Sequence, residues 1–167
     1  MRVLSVCGSL QQKSANLTLL ERAAVLAPAG VELQRYDGLR DLPHFNPDLE
    51  QNGPLPAVSA LREAVQKSDA LLIAMPEYGH SLPGALKNAI DWLIGTGELE
   101  RKLCAITSSV PIAERGLRGL KALEDTLGAV SARMAFARPI VRGPAFDDDV
   151  SALLAALRAR AAESREA

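Results

Sequence analysis

Short apolar runs alternate along the chain with longer segments in which apolar residues recur at helical spacing. The run 70–75 contains no polar residue, which is typical of a strand buried on both faces of a sheet. Pro76 has no N–H group to donate, so it is expected to end that strand. Apolar residues then recur at helical spacing from residue 83 to about residue 96. This stretch therefore predicts a strand, a short loop and a helix.

The same pattern predicts four further strands and four further helices, which alternate along the chain. The predicted strands cover residues 2–7, 31–36, 102–108 and 129–136. The predicted helices cover residues 15–26, 56–67, 116–127 and 150–162. Gly128 is expected to end the helix before it, and the acidic run 147–149 is expected to precede the last helix. Residues 37–56 contain several prolines and are predicted to form a long irregular loop.

Alternating strands and helices indicate a parallel sheet with right-handed crossovers and helices on both faces. For five strands we predict the flavodoxin-like order 2-1-3-4-5, an α/β three-layer fold in a single domain across residues 1–167. Ligands of such sheets bind where the strand order reverses, here between strands one and three. Loops 8–16, 76–82 and 108–115 follow strands one, three and four, so we expect them to meet there.

Composition narrows the possible classes of function. Hydrophobic residues make up 48% of the chain, which suffices for a core, and the formal net charge is −1. The low charge and the 4% of aromatic residues argue against a nucleic-acid or membrane partner. No apolar stretch approaches the roughly 20 residues that span a bilayer, and the N-terminus has no signal-peptide pattern. Cys7 and Cys104 lie in predicted strands and are expected to be buried and unpaired, so we predict a cytoplasmic protein.

The first loop contains residues suited to an anion site. It enters a helix whose first N–H groups have no partner within the helix, and such groups favour a negative charge. Ser9, Ser14 and Asn16 add neutral donors suited to phosphate oxygens. Neither a G-x-G-x-x-G fingerprint nor a P-loop pattern is present. The alternative is that these serine and asparagine residues are helix N-caps, but the position after the first strand favours a phosphate site.

The central loop is expected to lie beside whatever the phosphate carries. Its peptide groups can bind the edge of a flat heterocycle, Tyr78 can stack on one, and Gly79 permits close approach of the backbone. Glu77 is either a general base or a structural acceptor for backbone or a neighbouring subunit, and His80 is expected to face solvent or ligand. No Ser-His-Asp or Cys-His set and no zinc spacing is apparent, so neither a catalytic side chain nor a metal is predicted.

Several segments together resemble the NAD(P)H-dependent FMN reductases, a flavodoxin-like family that includes quinone, azo-dye and chromate reductases. The segments are Gly8-Ser9-Leu10 with Ser14 and Asn16, Pro76-Glu77-Tyr78 with Ser81, Pro83-Gly84, Leu86-Lys87-Asn88-Ala89-Ile90-Asp91-Trp92, and Leu42-Pro43-His44-Phe45-Asn46-Pro47-Asp48. The resemblance covers about residues 1–142, and the central motif is its most specific part.

This resemblance implies that the chain binds FMN. The FMN phosphate would contact Ser9, Ser14, Asn16 and the amide of Leu17. The flavin ring would lie against Pro76, Glu77, Tyr78 and Gly79, with Ser81 also in the site and with Ser108 and Ser109 near the pyrimidine end. Gln11 belongs to the implied site at a position where most members have arginine, and Gly79 replaces the usual asparagine. The third loop lacks the usual glycine-rich run.

The resemblance further implies hydride transfer in two steps. NADPH or NADH would reduce bound FMN, which would then reduce a small acceptor such as a quinone, an azo compound, chromate or free flavin. Family members are commonly oligomers, so a homodimer or homotetramer is expected. Two alternatives stay open: a flavodoxin-like module without catalysis that acts through oligomer or partner contacts, and an enzyme for which free FMN is a substrate.

Overall fold

The computed structural model describes the backbone of residues 1–166 and the side chains of residues 1–163. The strands are β1 (Arg2–Cys7), β2 (Glu32–Tyr36), β3 (Ala70–Ala74), β4 (Leu103–Thr107), β5 (Ser109–Val110), β6 (Arg133–Ala137) and β7 (Ile140–Val141). The α-helices are α1 (Ala15–Leu26), α2 (Pro47–Gln51), α3 (Pro56–Lys67), α4 (Gly84–Ile94), α5 (Leu117–Ala129) and α6 (Phe146–Glu166). Gly38–Asp41 forms a turn of 3₁₀-helix.

Five strands form one parallel sheet in the order β2-β1-β3-β4-β6. Since β6 is the fifth strand of this sheet along the chain, the predicted flavodoxin-like order 2-1-3-4-5 is confirmed. The register places Ala74 of β3 opposite Cys7 of β1 and Thr107 of β4. The three central strands therefore end at the same edge of the sheet.

Each face of this sheet has its own apolar core. One cluster of buried residues packs the sheet against α3, α4 and α5, and it includes Leu71 and Ile73 of β3. The other cluster packs the sheet against α1 and α6, and it includes Leu72 of β3 and Leu153 of α6. Successive residues of β3 thus face opposite cores, which explains why its sequence is apolar without interruption.

The prediction of an irregular loop across 37–56 is wrong in part, because the segment contains α2 and the 3₁₀ turn. Asn46 caps α2, and its Oδ1 accepts a hydrogen bond from the N–H two residues later at 3.0 Å. The carbonyl oxygen of Pro43 accepts hydrogen bonds from Asn88 Nδ2 at 2.9 Å and from Trp92 Nε1 at 2.8 Å. These bonds hold the segment on α4.

Several predicted helix boundaries are wrong. α5 continues through Gly128 to Ala129, since one glycine near a helix end costs only about 1 kcal/mol relative to alanine. α6 begins at Phe146, so the acidic run 147–149 lies in its first turn instead of preceding it, where the helix dipole still favours it. α4 ends at Ile94, shortly before the predicted end.

The strands after β4 also differ from the prediction. β6 begins at Arg133 and is shorter than the predicted fifth strand. β5 and β7 pair in parallel as a separate two-stranded sheet that was not predicted, because two residues are too few to show a period. Although α6 has 21 residues, no helix within residues 1–166 is both long enough and apolar enough to cross a membrane.

Both cysteines are unpaired, as predicted. Cys104 is buried in β4, and this burial raises the pKa of its thiol to about 12, so the reactive thiolate is disfavoured. Cys7 is only half-buried, so the prediction of burial is wrong for this residue, which lies at the end of β1 where the strand gives way to the first loop.

The N-terminus of α5 packs closely against the loop that follows β3. A Cβ atom on Gly119, in the first turn of α5, would lie 3.0 Å from Glu77 Cβ and 3.1 Å from Ser81 O. Gly128, in the last turn of the same helix, has no heavy atom within 4 Å of the place where a Cβ would lie. The two helical glycines therefore have opposite surroundings.

We expect Gly119→Ala to destabilise the protein by about 1–3 kcal/mol, because the new methyl group is forced against the central loop. Gly128→Ala should stabilise it by about 0.5–1 kcal/mol, because alanine favours the helix and meets no neighbour. Urea unfolding followed by the fluorescence of Trp92, the single tryptophan, measures both effects. Shifts of the same sign in both variants would contradict the close packing at Gly119.

Candidate functional site

The loops that follow β1, β3 and β4 lie side by side at one edge of the sheet. Gly8 N donates a hydrogen bond to Ala74 O at 2.8 Å, and Met75 N donates to Thr107 O at 3.0 Å. A Cβ on Gly8 would lie only 2.6 Å from Met75 Cβ, so glycine is needed for this approach of the first and central loops. The three loops that were predicted to meet therefore do meet.

Asn16 joins the first loop to the third. Its Oδ1 accepts a hydrogen bond of 2.8 Å from Ser109 N, and the two residues are only 4% and 8% exposed. Ser109 is 93 residues further along the chain, so the contact exists only in the folded sheet. Within the described residues, no group accepts a hydrogen bond from the Asn16 Nδ2 group. One side chain thus fixes the third loop and keeps a donor for a ligand.

The serines of the first loop bind its own backbone. Ser14 is the N-cap of α1, and its Oγ accepts a hydrogen bond from Asn16 N at 3.3 Å. Ser9 Oγ accepts a hydrogen bond from Gln11 N at 3.2 Å. The first hydrogen bond of the helix runs from Thr18 N to Ser14 O, so the earlier amides point out of the helix end. Ser14 is therefore a helix N-cap, as the alternative interpretation of the sequence predicted. Asn16 is not, because its side chain binds Ser109 N.

Glu77 joins the central loop to α5. Its Oε2 accepts a hydrogen bond of 2.8 Å from Gly119 N, and its Oε1 lies 3.2 Å from His80 Nδ1. Gly116, the N-cap of α5, has no side chain to cap the helix, so Glu77 supplies an acceptor from 42 residues away. The hydrogen bond from Gly119 is the main cause that lowers the pKa of the Glu77 carboxyl, and His80 lowers it further. Of the two predicted roles, the structure favours the structural acceptor.

The tip of the central loop is a tight turn. Tyr78 N donates to Ser81 O and Ser81 N donates to Tyr78 O, both at 3.0 Å. The residues between them, Gly79 and His80, have positive φ angles of 55° and 63°. Paired positive φ angles match the type I′ turn that closes tight hairpins. Gly79 is thus explained by its backbone conformation, and the turn leaves Tyr78 and the His80 side chain 56% and 69% exposed.

Two neighbouring serines begin the third loop, and both are buried. Ser108 is 2% exposed, and a Cβ on Gly116 would lie 3.1 Å from its Oγ. The Ser109 Oγ atom is buried and has no hydrogen-bond partner within the described residues. A buried hydroxyl without a protein partner is rare in folded proteins, so Ser109 Oγ has a donor and lone pairs that a bound group could use.

The structure brings all the predicted site residues to this edge of the sheet. Ser9, Gln11, Ser14, Asn16 and Leu17 lie on the first loop and the first turn of α1, Pro76, Glu77, Tyr78, Gly79 and Ser81 lie on the central loop, and Ser108 and Ser109 begin the third. Pro76, Ser81 and Leu17 are half-buried, and Gln11 is exposed.

Sequence reasoning missed two residues near the site. Gly119 carried a signal, because a glycine inside a predicted helix often marks close packing. Arg142 carried no signal. It follows a strand of only two residues, which is too short to be recognised from the sequence. A groove of about 370 Å³ opens beside the N-terminus of α1 and is lined by Ala15, Thr18, Ser109, Arg142, Gly143 and Phe146.

The contribution of the Glu77 charge to stability is expected to depend on pH. Because the folded-state pKa of Glu77 lies below its unfolded value of 4.5, this contribution is complete above about pH 4.5 and is lost as the pH falls through the folded-state pKa. Glu77→Gln keeps an acceptor for Gly119 N but removes the charge. The difference in free energy of unfolding between parent and variant should therefore shrink from pH 7 to about pH 3.

The measurement is urea unfolding at several pH values, with His80→Asn in both proteins so that the imidazole does not titrate. A stability difference that stays constant across this pH range would show that the hydrogen bond to Gly119 does not depend on the ionised carboxylate.

Comparison with known proteins agrees with this geometry. The family model described as NADPH-dependent FMN reductase matches residues 1–142. An NAD(P)H-dependent FMN reductase of Pseudomonas aeruginosa is 42% identical over 92 residues, which are 55% of this chain and 49% of that protein. A quinone reductase of Escherichia coli is 38% identical over 94 residues, which are 56% of this chain and 50% of that protein. These matches span about half the length of the curated relatives.

Among solved structures, the flavoenzyme NAD(P)H:(acceptor) oxidoreductase FerB from Paracoccus denitrificans superposes with a TM-score of 0.80 and 27% identity. The superposition covers 95% of this chain and 97% of that one. Because the family model covers far more than half of the chain, the resemblance found in the sequence is confirmed, and the chain belongs to the NADPH-dependent FMN reductase family.

Proposed function

We propose that this protein binds FMN at the edge formed by the three loops and passes electrons from NADPH or NADH through it to a small acceptor such as a quinone. Membership of the reductase family supports the proposal, as does the similarity to an FMN reductase of Pseudomonas aeruginosa and a quinone reductase of Escherichia coli. The observation that carries it is the hydrogen bond between Ser109 N and Asn16 Oδ1, which brings a third loop onto the N-terminus of α1.

The groups at the N-terminus of α1 fit a phosphate. The amide of Leu17 is one of the early N–H groups of the helix, and the Asn16 Nδ2 group is a second donor. The Ser109 hydroxyl is buried and has no partner in the part of the chain that the structure describes, so it can donate a third hydrogen bond without losing one. We therefore assign Ser109 to the phosphate end, although the resemblance implies the pyrimidine end. Ser9 and Ser14 order the loop around these donors.

The central loop fits a flat ring. Its turn exposes Tyr78 and His80, while Glu77 is already bonded to Gly119 N. Ring recognition is therefore assigned to peptide groups from Pro76 to Ser81 and to the face of Tyr78. Ser108 lies at the start of the third loop and is assigned to the ring side with them.

Bound FMN would supply the redox chemistry, which is that of the cofactor. The chain's own task is to bind the phosphate, orient the ring and present one face of it to small molecules. No described side chain has to act as a nucleophile in this role. Tyr78 and His80, exposed at the tip of the turn, are the side chains placed to contact a nicotinamide or an acceptor.

The proposal extends to the domain organisation, the location and the oligomeric state. The two cores flank one sheet, which supports a single domain across residues 1–166. The unpaired cysteines support a cytoplasmic location. A homodimer or homotetramer stays a prediction. Gel filtration with light scattering tests it by measuring the mass of the protein in solution.

A visible spectrum tests the function directly. Addition of FMN to purified protein should give perturbed flavin absorption bands, which NADPH or NADH should bleach under anaerobic conditions and a quinone should restore. The relative bleaching rates identify the donor. An absence of binding at high micromolar FMN would reject the proposal in favour of a module without catalysis, and bound FMN that neither nucleotide reduces would reject the reductase activity.

Asn16→Asp tests the phosphate end. The carboxylate can still accept the hydrogen bond from Ser109 N, but it repels a phosphate, so FMN should bind about tenfold or more weakly while the fold is kept. Asn46→Asp is the matched control, because Asn46 also accepts a backbone N–H through Oδ1, at the N-cap of α2. Titration of flavin fluorescence gives both affinities. Equal FMN affinities in the two variants would place the phosphate elsewhere.

A further inference from the structure

The groove beside the N-terminus of α1 combines three features of an anion site. Ala15 and Thr18 present the first turn of α1, a helix of 12 residues. Ser109 lines the same groove with a buried hydroxyl that has no partner within the described residues. Arg142 lines it as well, and its guanidinium Nη1 donates a hydrogen bond of 3.3 Å to Ser109 O.

The small β5–β7 sheet sets the position of Arg142. Ile140 N donates to Ser108 O and Arg142 N donates to Val110 O, both at 2.9 Å. This ladder places the backbone of Arg142 beside the third loop, while Asn16 binds Ser109 N from the other side. Ser109 is thus held between the phosphate loop and the arginine.

The first loop contributes little positive charge to the groove beside the N-terminus of α1. Lys13 is the only basic residue among 8–16, and it is exposed. Of the three acidic residues in the first turn of α6, Asp147 forms two hydrogen bonds with Arg22, Asp149 pairs with Arg138, and Asp148 is exposed. Within the described residues no carboxylate pairs with Arg142, so its charge is available to a ligand.

We propose that Arg142 is the cation that binds the phosphate group of the flavin cofactor in this chain, in place of a charged residue on the first loop. The proposal rests on the proposed FMN site and adds a residue to it. The one basic residue of the first loop, Lys13, is exposed, whereas Arg142 is hydrogen-bonded to Ser109 O in the groove, so the positive charge comes from the end of β7. Arginine suits this task because its guanidinium stays charged and can donate two parallel hydrogen bonds to a phosphate.

Comparison of FMN with riboflavin tests this role, because the two differ only in the phosphate. Arg142→Gln keeps a donor for Ser109 O but removes the charge. We expect it to weaken FMN binding about tenfold while riboflavin affinity changes less than about twofold. Arg142→Lys should retain part of the FMN affinity, because it keeps the charge without the planar fork. Lys13→Gln is the matched control and should leave both affinities within about twofold.

Fluorescence titration of both flavins gives the ratio of the FMN affinity to the riboflavin affinity. A general loss of folding would weaken both flavins equally and would leave this ratio unchanged. Three results would overturn the proposal: unchanged FMN affinity in Arg142→Gln, equal weakening of both flavins, or a loss of FMN affinity in Lys13→Gln alone. If the parent protein binds neither flavin, the proposed FMN site fails together with this inference. If it binds FMN and the ratio is unaltered by Arg142→Gln, only this inference fails.

Discussion

The geometry of the loop edge depends on side chains that bind backbone N–H groups far away in the chain. Asn16 accepts from Ser109 N across 93 residues, and Glu77 accepts from Gly119 N across 42 residues. Leaving a buried N–H group without a partner costs about 1–3 kcal/mol, so each bond opposes separation of the loops it joins. The first loop is tied to the third and the central loop to α5, and close packing at Gly8 joins the first loop to the central one. The edge is thereby ordered before any ligand binds, which lowers the entropic cost of binding.

Because these polar side chains are bonded within the protein, only the remaining groups at the loop edge can bind a ligand. Ser14 caps α1, Ser9 binds the loop backbone, and Glu77 caps α5, so the side chains that look most reactive in the sequence mainly hold the structure. The groups that stay available include neutral donors at the helix end, the guanidinium of Arg142 and the exposed Tyr78. Neutral donors and a ring surface suit a phosphorylated flat cofactor, whereas they offer nothing to covalent catalysis. The division between structure and recognition therefore agrees with a cofactor that supplies the reaction.

The elements and the strand order were predictable because burial on both faces leaves a strong local signal, as the uninterrupted apolar run of β3 shows. The same local reasoning located the three loops, since each follows a buried strand. It failed where a boundary depends on tertiary contacts. Gly128 does not end α5, and Pro43 is held by Trp92 and Asn88 instead of lying in a free loop. The partners of Asn16 and Glu77 were beyond prediction, because nothing near them in the sequence specifies an acceptor or donor so distant in the chain.

A short strand and the helix after it set the position of Arg142. Its backbone is fixed on one side by the two-residue ladder of β5 and β7, and on the other side the chain enters α6 within four residues. α6 is anchored in the core by Val150 and Leu153, both fully buried, and its first turn is bonded to α1 by the paired hydrogen bonds between Asp147 and Arg22. The helix that covers one face of the sheet therefore also fixes the arginine at its edge. The same contacts that pack α6 on the sheet therefore limit how far the backbone of Arg142 can move away from the third loop.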